Sequence, residues 1–175
     1  MNVFLIGYRC TGKTSVGREM ADFLKYPFVD TDARVVVHDG RRIDRIVRED
    51  GWPAFRLLEK EVVGAVCAAD GQVIATGGGV VLDAHNVARM KRTGRVVLLT
   101  AQIPTILRRM REDAGTAGMR PALSTGKDLE TEIRQTLTRR QPLYEAAMDI
   151  RVVTDSRPVG EITRDIVARL GLEPA

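Results

Sequence analysis

Apolar positions along the chain switch between two periods. Val3-Phe4-Leu5-Ile6 is a short apolar run of strand type, and behind it Val16, Met20, Phe23 and Leu24 recur at i, i+4, i+7 and i+8. That second spacing predicts a helix with one buried face. Phe28-Val29 is another short run, ending at Asp30-Thr31-Asp32. Residues 33–50 predict a helix broken at Asp39-Gly40, with Ile43, Ile46 and Val47 on one face. Pro53 suits the first turn of the next helix, which carries Leu58, Val62, Ala65, Val66 and Ala69. Val73-Ile74-Ala75 predicts a buried strand closed by Gly77-Gly78-Gly79. A helix near 84–92, the strand Val96-Val97-Leu98-Leu99 and a helix over roughly 103–111 follow.

Residues 113–127 differ. They contain glycines and small polar residues without apolar periodicity, and predict a mobile loop of the length that usually carries function. Leu129, Ile133 and Leu137 then predict a helix that Pro142 kinks or restarts. Ile150, Val152 and Val153 form the last strand, and Val159, Ile162, Ile166 and Leu170 mark a closing helix. Strands alternating with helices imply an α/β domain with a five-stranded parallel sheet, covered on both faces. A length of 175 residues fits one such domain.

Composition narrows the partners. The net charge is +4, and 22 of the 27 basic residues are arginine. They are scattered among 23 acidic residues, and aromatics make up only 5%. Neither a basic block nor a stacking platform results, so nucleic acid is not the expected partner. A small anionic ligand fits better. No apolar run approaches the roughly 20 residues of a membrane span. The N-terminus enters a strand without a charged leader, and Cys10 and Cys67 lack metal-type spacing. A reduced cytoplasmic protein is expected, and a monomer, since no exposed apolar helix stands out.

Between the first strand and the first helix lies Gly7-Tyr8-Arg9-Cys10-Thr11-Gly12-Lys13-Thr14. It fits the phosphate-binding pattern G-x-x-x-x-G-K-[ST] at every fixed position. Strand, glycine loop and helix is the context this chemistry needs. Backbone N–H groups of Gly7 to Ser15, with Arg9, Cys10, Thr11 and Gly12 between them, would wrap a phosphate. The helix N-terminus adds its positive end. Lys13 would reach the β- and γ-phosphates, and the Thr14 hydroxyl would hold Mg²⁺.

Asp30 and Asp32 close a strand beside that loop, where open α/β sheets bind ligands. Phosphoryl transfer uses one carboxylate near the metal and one to orient the attacking hydroxyl. Either aspartate could instead cap the following helix. Gly77-Gly78-Gly79 lets backbone approach a ligand closely and offers N–H groups to an anion; an ordinary flexible turn is the alternative.

The ordered set of Gly7-x-x-x-x-Gly12-Lys13-Thr14, Asp30-Thr31-Asp32, Phe55-Arg56, Gly77-Gly78-Gly79, Arg120-Pro121 and Arg140-x-Pro-Leu-Tyr144 resembles the shikimate kinases over nearly the whole chain. The resemblance implies a P-loop kinase fold with strand order 2-3-1-4-5. It also implies transfer of the γ-phosphoryl of ATP to the 3-hydroxyl of shikimate, in the chorismate route to aromatic amino acids. It casts residues 33–62 as a substrate-binding helical region and 113–127 as a lid. By the same resemblance, Asp30 serves the metal through water, and Asp32 binds the shikimate hydroxyls and is the candidate base. Gly77, Gly78 and Gly79 line the substrate, and Arg56 and Arg140 pair with its carboxylate. Arg120 is the lid cation over the phosphates. Adenine would lie between the helix near Arg108-Arg109 and the turn Ser156-Arg157-Pro158, giving Arg109 and Arg157 nucleotide roles. Two departures from the family pattern are Cys10, where a glycine is usual, and Trp52, where an acidic residue is commoner.

Rival classes lack their own marks. A gluconate or nucleotide kinase of this fold would not need the triple glycine or the Arg140–Tyr144 segment. A guanine-nucleotide switch should carry Asn-Lys-x-Asp, which is missing. The strand at Val73 ends in glycines rather than in the Walker-B aspartate of a nucleic-acid-binding NTPase.

Overall fold

The first strand, β1 (Asn2–Ile6), sorts its side chains to opposite sides. Val3 and Leu5 enter one core, Phe4 and Ile6 another. The same alternation recurs in β3 (Val73–Ala75) and β4 (Gly94–Thr100): Val73, Val97 and Leu99 join the first core, while Ile74, Val96 and Leu98 join the second. A strand buried on both faces needs apolar residues at successive positions, which is why these segments read as unbroken apolar runs. With β2 (Phe28–Asp30) and β5 (Ile150–Val153) they form a five-stranded, all-parallel sheet of order 2-3-1-4-5.

In this computed structural model, residues 1–112 and 129–173 are described. The expected lid over 113–127, with Arg120, lies outside them. Helices α1 (Lys13–Leu24) and α7 (Val159–Leu170) cover one face of the sheet. Helices α3 (Ile43–Val66), α4 (Ala84–Thr93) and α6 (Leu129–Ala147) cover the other. Helix α2 (Thr31–Asp39) packs with α3 around Val35, Ile46 and Phe55, and α5 (Ile103–Glu112) packs with α6 around Tyr8, Ile106 and Ile133. Among the described residues no helix is long and apolar enough to cross a membrane.

Local signals set the boundaries. Asp30 caps α2, its Oδ1 accepting from the N–H groups of Asp32 (3.0 Å) and Ala33 (3.2 Å). Gly40 ends that helix in the left-handed region, φ 82°. Helix α3 is two helices joined at Gly51, whose φ of 82° and ψ of 169° are not helical, and Pro53 follows as the restart.

Three expectations need correction. Phe23 does not join the buried face of α1; it is 40% exposed, at the edge of an arc completed by Gly17 and Ala21. The buried face of α3 is Phe55, Glu59, Val62 and Val63 rather than the row through Ala65 and Ala69, which are exposed. Pro142 does not restart α6, which runs through it to Ala147. Pro142 and Thr138 are both exposed, so water can take the carbonyl the proline leaves unpaired.

Candidate active site

The strand order builds the site. Because β3 lies between β2 and β1, the chain leaving β3 is tied to both neighbours. Thr76 donates from its amide and its hydroxyl to the carbonyl of Leu5, at 3.1 and 3.0 Å. The amide of Gly77 donates to the Thr31 hydroxyl at 3.0 Å. The glycine run is thereby pinned between the Asp30–Asp32 segment and the phosphate loop, at the point where the strand order reverses about β1.

The loop itself is left open for an anion. Gly12 precedes α1 with φ 97°, no side chain caps that helix start, and its first turn holds no acidic residue. The orphan N–H groups there have no protein acceptor supplied by a cap, unlike those of α2. The Lys13 ammonium donates to the carbonyls of Gly7 and Tyr8, both at 2.8 Å. Thr14 and Ser15 are exposed at the helix start. Gly7, at φ 136°, has no room for a side chain: a Cβ there would come within 2.3 Å of the Leu99 carbonyl oxygen. Cys10 also adopts a left-handed backbone, φ 60°, which explains why glycine suits its position. Its side chain packs against the cluster of Tyr8, Ile106 and Ile133.

Arg109 fastens the loop from α5. Its guanidinium donates to the Cys10 carbonyl (3.1 Å), the Thr154 hydroxyl (3.0 Å) and the Thr154 carbonyl (2.7 Å). The Thr154 hydroxyl in turn donates to the Thr11 carbonyl at 3.0 Å. Arg157 is engaged elsewhere, with Glu161 (2.9 Å) and Asp165 (3.2 Å) on α7.

Thr14 and Asp30 meet across the loop, the hydroxyl donating to Oδ2 at 3.4 Å. Asp30 therefore both caps α2 and faces the phosphate loop. Asp32 faces the other way, toward the glycines: a Cβ on Gly77 would come within 2.6 Å of its Oδ1.

Beyond the loop opens a concave space of about 520 Å³, lined by Arg9, Asp32, Trp52, Arg56, Gly77, Gly78, Gly79 and Arg140 among others. The outer two glycines have a steric reason. A Cβ on Gly77 would strike Asp32 and Glu59, and one on Gly79 would lie 2.3–2.6 Å from the Arg56 guanidinium. Gly78 backs onto the phosphate loop at Gly7 and Arg9. Arg140 donates to the Gly78 carbonyl at 2.9 Å, and the Tyr144 hydroxyl donates to the same oxygen. Burial pushes the Tyr144 phenol up to about 12, so it stays a donor at neutral pH.

Arg56 is held on three sides. Its guanidinium carbon lies 5.4 Å from the Trp52 ring centre and 5.0 Å from that of Phe55, and Nη1 donates to Glu59 at 2.6 Å. Trp52 thus lines the acceptor space and supports Arg56. Glu59 is 1% exposed, and burial holds its carboxyl above the ordinary 4.5 against the pull of Arg56. Sequence reasoning missed this residue. The available signal was its place three residues after Arg56 on a helix.

Comparison with known proteins points to one family. The family described as shikimate kinase matches residues 9–171. The chain belongs to the shikimate kinase family. It is 41% identical over 170 residues to shikimate kinase 2 of Enterobacter sp., covering 97% of this chain and 95% of that one. It is 39% identical to the shikimate kinase of Symbiobacterium thermophilum, over 97% and 96% of the two chains. The shikimate kinase from Acinetobacter baumannii, solved in complex with shikimate, aligns with a TM-score of 0.89 at 30% identity, over 97% and 92% of the two chains. Within the family frame, the geometry brings together the loop residues, Asp30, Asp32, Arg56, Gly77–Gly79 and Arg140. Arg157 is turned onto α7.

Proposed function

We propose that this shikimate kinase family member transfers the γ-phosphoryl group of ATP to the 3-hydroxyl of shikimate, yielding shikimate 3-phosphate for the chorismate route. The observation that carries this is the shared wall: the phosphate loop and an acceptor space lined by three arginines and an aspartate meet at Gly78. Shikimate has one carboxylate and three hydroxyls, which suits that set. Arg56 and Arg140 take the carboxylate as charge-assisted forks. Asp32 and the edges of Gly77, Gly78 and Gly79 take the hydroxyls, with Asp32 positioned to accept the proton of the attacking one.

The backbone N–H groups of Gly7, Arg9, Cys10, Thr11, Gly12, Lys13, Thr14 and Ser15 hold the phosphates. On binding, Lys13 exchanges the two loop carbonyls for phosphate oxygens and follows the charge that develops on transfer. Arg109 and Arg157 border the adenine, Arg109 chiefly by fixing the loop. Arg120 is assigned by motif alone, as a cation that closes over the phosphates. The Thr14 hydroxyl and Asp30 Oδ2 are hard oxygen donors facing each other, which fits Mg²⁺, an ion usually held by one or two side chains plus phosphates. Held by these two residues, Mg²⁺ would supply positive charge against that of the phosphates. The same reading makes the protein a single-domain cytoplasmic monomer, with residues 33–62 as substrate region and 113–127 as lid. Cys10 and Cys67 are free thiols, as a reducing compartment keeps them.

The test is ADP release coupled to an indicator, with Mg-ATP and shikimate, quinate, gluconate or AMP as acceptor. Turnover with shikimate well above the others is expected. Turnover with another acceptor and none with shikimate overturns the reading.

A further inference from the structure

Arg9 sits at a position the phosphate-loop pattern leaves free. Its backbone belongs to the loop, and the residue lines the acceptor space together with Arg140 and Asp32. Nη2 of Arg9 donates to Oε1 of Glu132 on α6 at 3.3 Å. The side chains are 19% and 6% exposed. A carboxylate as buried as that of Glu132 is costly without a cation, so this contact spans 123 positions of sequence for a reason. Glu132 also begins a row on one face of α6. Glu132, Thr136, Arg140 and Tyr144 follow at four-residue intervals, and the last two bind the Gly78 carbonyl. One helix face therefore grips the phosphate loop through Glu132 and Arg9, and the glycine wall through Arg140 and Tyr144.

We infer that the Arg9 guanidinium is an acceptor-binding group rather than a nucleotide ligand, and that Glu132 is the positioning residue that orients it. The inference deepens the phosphotransfer reading above and rests on it. Arg9 adds a third arginine to the lining of the acceptor space, and its backbone nitrogen lies 3.6 Å from where a Gly78 Cβ would stand. Nε of Arg9 is buried, so the Nη groups not spent on Glu132 are those offered to hydroxyl oxygens of the acceptor, and a fork held by a carboxylate has little rotamer freedom to lose on binding.

The experiment compares wild type with Arg9→Met, Arg9→Lys, Glu132→Gln and the Arg9→Met/Glu132→Gln double variant. Michaelis constants for shikimate and for ATP are measured separately. Shikimate affinity without nucleotide is read from the fluorescence of Trp52, the chain's one tryptophan, which lines the same space. Arg9→Met and Glu132→Gln should each raise the shikimate constant about tenfold, the effect of losing or weakening one charge-assisted hydrogen bond. The ATP constant should stay within about twofold. Arg9→Lys keeps the charge but not the fork and should recover only part of the loss. The double variant should be no worse than the worse single one, because Glu132 acts through Arg9. A rise in the ATP constant equal to or above that for shikimate overturns the inference. So does multiplication of the two single effects, or a fall in kcat with both constants unchanged. If Arg9→Met does not fold, Arg9→Lys and Glu132→Gln still decide between acceptor and nucleotide. Wild type that ignores shikimate refutes the functional reading itself; wild type that phosphorylates it, with variants that keep its affinity, refutes only the role of Arg9.

Discussion

Glu59 lies one helical turn beyond Arg56 on α3 and holds its guanidinium at 2.6 Å with a carboxylate that is 1% exposed. Only one of its oxygens is used: Oε1 is buried with no hydrogen-bond partner among the described residues. That orphan oxygen borders the space beside Gly77 and Asp32. The carboxylate is therefore kept for what it does to Arg56, at a cost to the fold. Burial raises its pKa, Arg56 offsets part of the rise, and the nearby Asp32 adds to it.

Glu59→Gln should show both sides of that arrangement. Glu59 ionises in the unfolded chain near 4.5 and in the folded protein only at higher pH. Across that window the folded state holds more protons, so this group's contribution to stability falls as pH rises from about 4.5 through the raised value. Gln cannot ionise and lacks the loss. Urea unfolding at pH 4 and pH 7 should show the variant gaining on wild type at the higher pH. Its shikimate constant should rise by up to about tenfold, since a neutral amide holds a guanidinium less firmly than a carboxylate. A stability difference that does not change with pH would mean that Arg56 fully offsets burial.

Gly79→Ala tests the wall from the opposite side. Gly79 has φ −108°, which any residue adopts, so the substitution carries no backbone strain. Its Cβ would fall 2.3 Å from Arg56 Nη2, and the guanidinium must move off Trp52 and Glu59. The melting temperature should stay near wild type. The shikimate constant should rise tenfold or more, with ATP affinity intact, because one charge-assisted hydrogen bond is misaligned. Unchanged shikimate affinity would place the carboxylate grip away from Arg56.

Much of this fold was legible because its strands are apolar on both faces, and Val3–Ile6, Val73–Ala75 and Val96–Leu99 advertise that directly. The loop from Gly7 to Thr14 was legible because backbone chemistry fixes its glycines. What escaped was charge on buried helix faces. Reading α3 through Ala65 and Ala69 put Glu59 outside the core row, and reading α6 through Leu129, Ile133 and Leu137 passed over Glu132. Apolar periodicity finds the stripe facing a core. It does not find a carboxylate on that stripe whose partner is an arginine on another element, because that pairing exists only after folding. The two contacts of Asp30 were not separable for a related reason: a capping aspartate and one that faces the phosphate loop look alike in sequence, and the Thr14 hydroxyl at 3.4 Å is seen only in the fold.

The two aspartates should separate by role, and their surroundings say how. Asp30 turns one oxygen to the amides of α2 and the other to the Thr14 hydroxyl. Asn is as good a helix cap as Asp, so Asp30→Asn should fold normally while weakening the hold on the metal. Its activity should need more Mg²⁺, and excess Mg²⁺ should restore part of the rate. Asp32 turns toward Gly77 and the acceptor space. Asp32→Asn can still hydrogen-bond a hydroxyl but cannot take its proton. General-base assistance is typically worth about 10²–10⁴-fold, and a loose phosphoryl-transfer transition state leans on positioning more than on proton removal. A loss near the lower end is expected, with no response to Mg²⁺. The measurement is a Mg²⁺ titration of initial rates for both variants at saturating ATP and shikimate. Rescue of Asp32→Asn by Mg²⁺, with none for Asp30→Asn, would reverse the two assignments and move the metal to the acceptor side of β2.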